Sequence, residues 1–253
     1  MLRFILNILI IGTFTANTLL AENVDNLMAT ANKSYTEGKF DDAIKTYELA
    51  VRLGYNSDVL YFNLGNAYYK MKNIPAAILN YERANLLNPQ DEDITFNLDL
   101  ARTFTVDRIE PLPEFFMVKF FRNFQQVMST NSWAYIGVLF LVIALTLAGI
   151  FWFTPNSSYK RISFSTGLVA LFVTILSFTF SSQQKNLITN HSYGILFPSV
   201  VAVKTSPGES GKDFFVLHAG TKVKILDSVG DWLEIRIADG NKGWVLKDTL
   251  ERI

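Results

Sequence analysis

Two long runs without a charged residue constrain this chain more than any other feature of its sequence. The first run extends from Trp133 to Phe153 and the second from Ile162 to Ser182. Each run has 21 residues, which as an α-helix would measure about 31 Å, close to the thickness of the hydrocarbon core of a bilayer. Because only eight residues (154–161) separate the runs, they predict a hairpin of two transmembrane helices.

The charges beside the two runs predict how the hairpin is oriented. Lys160 and Arg161 lie in the loop 154–161, and loops rich in lysine and arginine stay in the cytoplasm. The segments on both sides of the hairpin are then expected on the non-cytoplasmic side, which is the periplasm in a Gram-negative cell. Neither run contains an ionisable residue, so neither indicates a transport path or a proton relay.

The first 21 residues predict a secretory signal peptide. One basic residue, Arg3, precedes an apolar core from about Phe4 to Phe14, which is too short to span a bilayer. Small and polar residues follow and end at Ala21. Leu19 stands where a small residue is usual before the cleavage site, and the alternative is an uncleaved N-terminal anchor.

The segment between the signal peptide and the hairpin repeats itself every 34 residues. "DDAIKTYELA" at residues 41–50 and "PAAILNYERA" at residues 75–84 share five residues at matching positions, among them Ala43 and Ala77, Tyr47 and Tyr81, Ala50 and Ala84. A helical repeat of this period resembles the tetratricopeptide repeat (TPR) family. The resemblance implies a TPR domain at residues 22–104, with units at about 24–57 and 58–91 and a capping helix at 92–104.

Six residues of the second unit are expected to form the fold of the repeat. Small residues allow the two helices of a unit to cross closely, tyrosines fill the space beside them, and proline ends the second helix. These residues are Gly65, Tyr68, Ala77, Tyr81, Ala84 and Pro89.

Four asparagines fall on the face that lines the concave groove in TPR domains. They are Asn32, Asn63, Asn66 and Asn97, and Lys70 is a groove cation on the same side. In TPR domains that clamp a C-terminal carboxylate, asparagines at such positions accompany basic residues that this sequence lacks. The resemblance therefore implies a groove that binds a protein segment, without a carboxylate clamp. The alternative is that these asparagines serve only the repeat fold.

The linkers on either side of the hairpin differ in character. Residues 105–132 begin with a proline-punctuated stretch and continue as "EFFMVKFFRNFQQVM". Lys119 and Arg122 among aromatic residues predict an interfacial amphipathic helix that leads into the bilayer. The alternative is a helix buried against the TPR stack. A second linker, residues 183–198, follows the hairpin.

Residues 199–253 show short alternating strands separated by turns, as in "TKVKIL" and "WLEIRI". This segment resembles bacterial SH3-like domains, with Trp232 and Trp244 as its most specific markers. The resemblance implies a small all-β barrel whose peptide-binding surface would use Phe214, Phe215 and Trp244, with cell-wall peptide as a ligand. The alternative is that the tryptophans pack the core.

Several classes of function find no support in the sequence. The chain has no cysteine, only two histidines, and equal numbers of basic and acidic residues, 23 of each. Thiolate chemistry is excluded, and a histidine metal site or a nucleic-acid surface is not indicated. We expect no catalytic residues, no metal and no cofactor, and therefore no enzyme.

The order of these segments is itself a signature: a signal peptide, TPR units, a proline linker, two membrane spans and an SH3-like tail. With "FNLDLAR…TVDRIEPLPE" and "DGNKGWV", it resembles the BatE-type proteins of the Bacteroides aerotolerance group. The resemblance implies a multidomain protein of the inner membrane with TPR and SH3-like domains in the periplasm. It further implies a scaffold in a stress-tolerance complex with von Willebrand A-type partners and MoxR-type ATPases. The alternative function is a cell-wall-binding regulator of peptidoglycan enzymes.

Overall fold

The computed structural model describes residues 25–113, 115–190 and 192–253 of the chain. The described chain divides into two compact units. One unit joins the segment that ends at Pro111 to Tyr193–Ile253, and the other is Leu112–Ser192. The first unit therefore takes its residues from both sides of the predicted hairpin. The predicted signal peptide, residues 1–21, lies outside the described residues.

Five helices form the N-terminal part of the first unit. They are α1 (residues 25–36), α2 (Phe40–Arg52), α3 (Asp58–Lys70), α4 (Ile74–Leu87) and α5 (Glu92–Arg102). Side-chain oxygens of Ser57, Asn73 and Asp91 accept hydrogen bonds from backbone amides in the first turns of α3, α4 and α5. Each such cap contributes about 1 kcal/mol to helix stability, so the sequence fixes where these three helices begin.

The small residues of the 34-residue period lie where helices cross. A Cβ atom built on Gly65 of α3 would lie only 2.7 Å from the ring of Tyr81 in α4. The repeated alanines are all fully buried: Ala43, Ala50, Ala77 and Ala84. Close helix crossing thus depends on small side chains, and the α-helical repeat fold predicted from the period is confirmed.

Seven short strands form the C-terminal part of the first unit. They are β1 (Tyr193–Leu196), β2 (Val200–Lys204), β3 (Asp213–His218), β4 (Lys222–Val229), β5 (Trp232–Arg236), β6 (Lys242–Leu246) and β7 (Leu250–Arg252). Neighbouring strands pair antiparallel in the order β3-β2-β6-β5-β4-β1-β7. The predicted small all-β domain is confirmed, and its sheet begins at Tyr193, upstream of the predicted boundary at residue 199.

The core of the sheet domain is aliphatic. In β5, Leu233 and Ile235 are buried, whereas Trp232 is only half-buried, because alternate side chains of a strand point to opposite faces. Trp244 in β6 alternates in the same way with the buried Val245. Both tryptophans therefore lie on the outer face of the sheet rather than in its aliphatic core.

Helix α4 is the surface on which the helical repeats and the sheet domain meet. Every residue from Ala76 to Glu82 is buried, although a helix covered on one side only would keep a polar face in water. Ile195 of β1 and the C-terminal Ile253 belong to the same core cluster as Ile78 of α4. The helices cover one side of α4 and the sheet domain covers the other.

The turn between β3 and β4 approaches the helices closely. A Cβ atom on Gly220 would lie 3.2 Å from Cδ1 of Ile78 and 2.8 Å from Cγ2 of Thr105. Gly220 also has φ +88°, a conformation that side-chain-bearing residues rarely adopt. Glycine therefore serves both the turn and the contact with α4.

The second unit contains three helices, α6 (Phe116–Gln126), α7 (Thr130–Phe153) and α8 (Ser157–Thr189). Within the described residues, α7 and the stretch Ser157–Asn186 of α8 are long and apolar enough to cross a membrane. Both helices extend beyond the uncharged runs of the sequence. The predicted loop 154–161 is accordingly shorter, since its last five residues already form the first turns of α8.

Helix α8 packs on α7 through small and polar residues. They recur at spacings of three and four residues along α8: Ser163, Gly167, Ala170, Thr174, Ser177, Ser181 and Gln184. Large apolar residues of α8 such as Leu168, Phe172 and Ile175 are exposed. Small residues at the interface and apolar residues outside are the pattern of helices packed in lipid.

Two buried glutamines join α6 to one end of this helix pair. The Gln184 side-chain amide donates to the backbone oxygens of Gln125 (2.8 Å) and Met128 (3.0 Å). The Gln125 amide donates to the backbone oxygen of Phe180 (3.3 Å), and the Trp133 indole donates to that of Gln125 (2.8 Å). The bonds from Gln184 and Trp133 satisfy the Gln125 carbonyl in the last turn of α6, which has no partner within the helix.

The other large side chains of α6 remain uncovered. Phe116, Phe120, Phe121 and Phe124 are all exposed. An exposed aromatic face beside Lys119 and Arg122 has the character of a helix that lies at a membrane surface. The interfacial location of α6 stays a prediction.

Candidate partner-binding surfaces

The predicted groove asparagines bond directly to one another and to the hydroxyls of buried tyrosines. Asn32 Oδ1 accepts hydrogen bonds from the Tyr47 hydroxyl (2.5 Å) and from the Asn63 side-chain amide (3.2 Å). Burial raises the pKa of Tyr47 to about 12, so this hydroxyl keeps its proton and remains a donor at neutral pH. We call such a set of three residues an Asn–Tyr–Asn set.

A second Asn–Tyr–Asn set lies 34 residues further along the chain. Asn66 Oδ1 accepts from the Tyr81 hydroxyl (2.7 Å) and from the Asn97 side-chain amide (3.1 Å). Each set joins the two helices of one unit to the first helix of the next. The asparagines therefore hold successive repeats in register, which is the structural role that the sequence left open.

These bonds limit what the asparagines can offer a partner. Both lone pairs of the Asn32 and Asn66 oxygens are in use, since an amide oxygen accepts two hydrogen bonds. Within the described ranges, no residue bonds to the Nδ2 atoms of Asn32 and Asn66. Donation to a partner from these two amides stays a prediction.

The groove face becomes apolar towards α5. By the 34-residue period, Phe96 and Leu100 of α5 occupy the positions of Phe62 and Asn66 in α3. Phe96 is 68% exposed and Phe104, which follows α5, is 60% exposed. We call the three exposed side chains of Phe96, Leu100 and Phe104 the α5 apolar stripe. Sequence reasoning singled out the asparagines and missed this stripe.

Tyr69 lies beside this stripe, and Lys70 is the next residue in the chain. The ring of Tyr69 meets the ring of Phe104 edge to face, with centroids 5.9 Å apart. Lys70, the predicted groove cation, is exposed at the end of α3. An aromatic surface next to an exposed ammonium group suits a segment that carries both apolar and acidic residues.

The other residues assigned to the repeat fold lie in or beside the cores. Tyr68 donates to the carboxylate of Glu48, and burial is the first cause that raises its pKa. Pro89 stands half-buried in the turn after α4. Tyr81 is 1% exposed. The structural roles expected of these residues stay predictions.

A buried carboxylate joins the helical repeats to the sheet domain. Glu82 of α4 is buried, and its two oxygens lie 2.7 Å from Arg102 Nη2 of α5 and 2.6 Å from Lys222 Nζ of β4. Burial alone would raise the pKa of Glu82, but Lys222 and Arg102 outweigh it and hold this pKa below its usual value. Glu82 is therefore ionised at neutral pH.

The sequence pattern did not single out Glu82 as a buried residue. A local pattern cannot reveal its burial, since Lys222 is 140 residues away. The one available signal was that α4 carries apolar residues on more than one face.

A second carboxylate joins the linker to the β3–β4 turn. Asp107 accepts hydrogen bonds from the His218 backbone amide (2.7 Å) and the Thr221 hydroxyl (2.6 Å), and its other oxygen lies 2.7 Å from His218 Nδ1. Burial would raise the pKa of Asp107, but the bonds from Thr221 and His218 lower it. Asp107 and Glu82 thus connect the helical part and the sheet domain at two places in the same interface.

The residues predicted for the SH3-like surface lie on different faces. Phe214 is 57% exposed on β3, the edge strand of the sheet. Phe215, the next residue along β3, packs against the aliphatic core of the sheet domain. Trp244 is half-buried on the outer face and pairs with Lys204 of β2. Phe214 and Trp244 can meet a ligand from outside, whereas Phe215 supports the core.

No group of three or more histidine, aspartate or glutamate side chains that could hold a metal ion occurs in residues 25–113, 115–190 and 192–253. Glu82, the one buried carboxylate among the described residues, and the half-buried Asp107 are paired with cations or hydrogen-bond donors. The interface they occupy holds two domains together.

Comparison with known families agrees with this architecture. Residues 199–251 match the bacterial SH3 domain, residues 31–72 match the TPR repeat, and residues 59–91 match the tetratricopeptide repeat. No curated protein matches the chain. The chain therefore contains TPR repeats and a bacterial SH3 domain. Domains of these two types are typically non-catalytic modules for protein–protein interaction or cell-wall binding.

Proposed function

We propose that the protein is a membrane-anchored, non-enzymatic scaffold that binds a protein segment in its TPR groove and holds its SH3 domain beside the membrane. The α5 apolar stripe carries this proposal. Exposed aromatic side chains lose contact with water when a partner covers them, and exposed apolar patches on soluble domains commonly mark interaction sites.

The position of the stripe favours a segment bound along the groove. The stripe continues the face that carries Asn63, Asn66 and Tyr69, and Lys70 lies at its edge. A bound segment would pack apolar side chains on Phe96 and Phe104. Its polar groups would meet the amides of the Asn–Tyr–Asn sets and the Lys70 ammonium.

The anchor in this proposal is the helix pair α7 and α8. Its exposed apolar surface and its interface of small residues suit lipid. The docking of the TPR and SH3 domains supports a hairpin, since two segments that share a buried interface must lie on one side of a membrane. We propose that the short connection lies in the cytoplasm, which the positive charges of Lys160 and Arg161 favour. The two domains would then lie in the periplasm beside the inner membrane, after cleavage of a signal peptide at residues 1–21.

The biological setting that we propose follows from the resemblance to BatE-type proteins. Their order of TPR units, membrane spans and SH3-like tail is the order of this chain. We propose that the partners are von Willebrand A-type proteins of the Bacteroides aerotolerance group, in a stress-tolerance complex associated with MoxR-type ATPases.

Cross-linking in native membranes tests the groove. The full chain with Phe96→Ser and Phe104→Ser should lose its cross-linked partners, because the apolar contact area is gone. Leu49→Ser, which changes a 40% exposed residue on α2, is the matched control and should retain them. Equal capture by both variants, with unchanged thermal unfolding, would overturn the groove assignment.

The identity of the captured proteins tests the setting separately. Capture of von Willebrand A-type proteins supports the complex that we propose. The stripe variant could lose its partners while the proteins captured by the wild type belong to another class. That result would support the groove assignment and reject the proposed setting.

An alternative function is cell-wall binding that regulates peptidoglycan enzymes, and the edge strand β3 favours it. Phe214 and Val216 are exposed on this edge, where a peptide could add as a further strand. Sedimentation of the detergent-solubilised chain with purified peptidoglycan tests this function. Phe214→Ser should abolish co-sedimentation if the edge binds the wall, whereas Phe96→Ser should not change it.

A further inference from the structure

A cavity lies where α2, α3 and α4 meet the sheet domain. Its volume is about 290 Å³, close to the lower size of small-ligand sites. Apolar side chains of Val51, Leu64, Leu79 and Phe197 line it, together with the polar groups of Glu48, Tyr68, Asn80 and Glu251. The cavity shares no residue with the Asn–Tyr–Asn sets or the α5 apolar stripe.

Asn80 gives this cavity an unsatisfied acceptor. The residue is 3% exposed, and its Nδ2 atom donates to the Ala76 backbone oxygen at 2.8 Å. Its Oδ1 atom is buried without a hydrogen-bond partner. Exchanging the two atoms would face an oxygen with the Ala76 carbonyl, so the assignment of the nitrogen and the oxygen is settled. A buried amide oxygen without a donor is costly, which makes it a point where a ligand can gain binding energy.

Two glutamates and two arginines line the cavity, so the acceptors that remain free among them, rather than the net charge, favour a cationic donor group. Glu48 and Glu251 bring two carboxylates to the cavity. The Arg83 guanidinium already bonds to Glu251 (3.0 Å) and to the Arg252 backbone oxygen (2.7 Å). Arg52 Nη1 lies 3.8 Å from Glu48 Oε2, which is too long for a hydrogen bond, and the Arg52 side chain is mostly exposed. Glu48 therefore keeps acceptor capacity beyond the bond from Tyr68, and Asn80 keeps both lone pairs.

We propose that this cavity binds an alkyl ammonium group, such as the side chain of a lysine or of another diamino acid in a peptide. The alkyl stem would pack on Val51, Leu79 and Phe197. The ammonium head, with three donors, would bond to Asn80 Oδ1 and Glu48. An ammonium group has no acceptor, so it matches a site whose unmet groups are acceptors.

The proposal does not depend on the TPR groove. A ligand here would contact α2 and α4 together with Phe197 and Glu251 of the sheet domain, so it would bind only the docked form of the two domains. Binding would therefore stabilise docking by mass action.

Titration of the full chain in detergent micelles with n-butylammonium tests the site. Because Asn80 Oδ1 is buried in the cavity wall, a ligand reaches it only when the amide turns towards the cavity. The Asn80 side-chain amide signal in a ¹⁵N NMR spectrum should then shift and saturate. Butyrate and n-butanol, which have the same stem without the cation, should leave it unchanged.

Two variants and a control distinguish the contacts. Glu48→Gln should weaken n-butylammonium binding about tenfold, as expected for a hydrogen bond to a charged group. Asn80→Leu should abolish the stabilisation of thermal unfolding by n-butylammonium without lowering the melting temperature of the ligand-free chain. Glu37→Gln, which removes an exposed carboxylate elsewhere, should change neither.

The proposal fails if n-butylammonium causes no saturable shift, or if n-butanol causes the same shift. Preference for butyrate would also overturn it, because the site would then bind anions through Arg52 and Arg83.

Discussion

The two units of this protein are built with opposite choices of interior residue. In the TPR–SH3 unit, large apolar and aromatic side chains such as Tyr47, Tyr81 and Leu60 are fully buried. In the helix pair, the buried positions of α8 other than Phe180 hold small or polar residues such as Ala170 and Thr174, and large residues such as Phe172 are exposed.

The difference is the one expected for a TPR–SH3 unit in water and for a helix pair in the lipid environment that we propose. In water, burying large apolar groups drives folding. In lipid, the surroundings are as apolar as the side chains, so close contact of helix backbones and hydrogen bonds hold helices together. The location of large side chains thus distinguishes the two environments within one chain.

Removal of an aromatic side chain should change the free energy of unfolding by very different amounts in the two units. Tyr81→Ala removes a ring that is 1% exposed, and we expect a loss of about 3–5 kcal/mol in the free energy of unfolding. Phe172→Ala removes a ring that is 65% exposed in the helix pair and should change the unfolding of the TPR–SH3 unit very little. Urea titration of the chain in micelles, followed by circular dichroism, measures both. Equal effects would remove the distinction between the units.

Neutralising Glu82 should separate the TPR and SH3 domains. Glu82→Gln leaves Arg102 and Lys222 without their shared anion, and breaking a buried ion pair costs about 3 kcal/mol or more. The expected result is a lower melting temperature and new cleavage by protease near Asp107, between the two domains. Glu92→Gln changes an exposed carboxylate on α5 and is the control. If Glu82→Gln melts like the wild type, the ion pair does not hold the domains together.

The same contacts predict an acid limit to docking. The pKa values of Glu82 and Asp107 are lowered in the folded state from their ordinary values of 4.5 and 3.8. Their contribution is therefore complete above those values and is lost as the pH falls through the lower folded values. Melting temperature should stay level between about pH 6 and 8 and fall in acid. Glu82→Gln should flatten part of that fall.

Glycine substitutions should sharpen the comparison with a smaller effect. Gly65→Ala would put a methyl group 2.7 Å from the Tyr81 ring, and such overpacking costs about 1–3 kcal/mol. Gly149→Ala in α7 meets no atom within 4 Å and should be neutral or slightly stabilising, because alanine favours helix over glycine. Thermal unfolding of each variant gives the two values. An unchanged melting temperature for Gly65→Ala would mean that α3 and α4 can separate without cost.

Much of this fold could be predicted from the sequence, because its signals are local or periodic. The 34-residue spacing of Tyr47 and Tyr81 predicted the repeats, and the uncharged runs predicted α7 and α8. The contacts that join distant segments could not be predicted. Glu82 and Lys222 are separated by the entire hairpin, and no spacing rule connects them.

The candidate site illustrates the same limit. The sequence placed Asn63 and Asn66 on the groove face, but their hydrogen bonds to Asn32 and Tyr81 depend on how neighbouring repeats stack. The exposure of Phe96 likewise depends on the stack ending at α5, since a further helix could have covered it.

The central claim is tested most directly by labelling single cysteines introduced into the chain, which has no cysteine of its own. Lys33→Cys marks the TPR domain, Lys242→Cys the SH3 domain and Ser158→Cys the hairpin connection. With a membrane-impermeant maleimide on intact spheroplasts, the first two should be labelled and the third only after permeabilisation. Labelling of Lys33→Cys and Lys242→Cys from opposite sides of the membrane would contradict the docked TPR–SH3 unit.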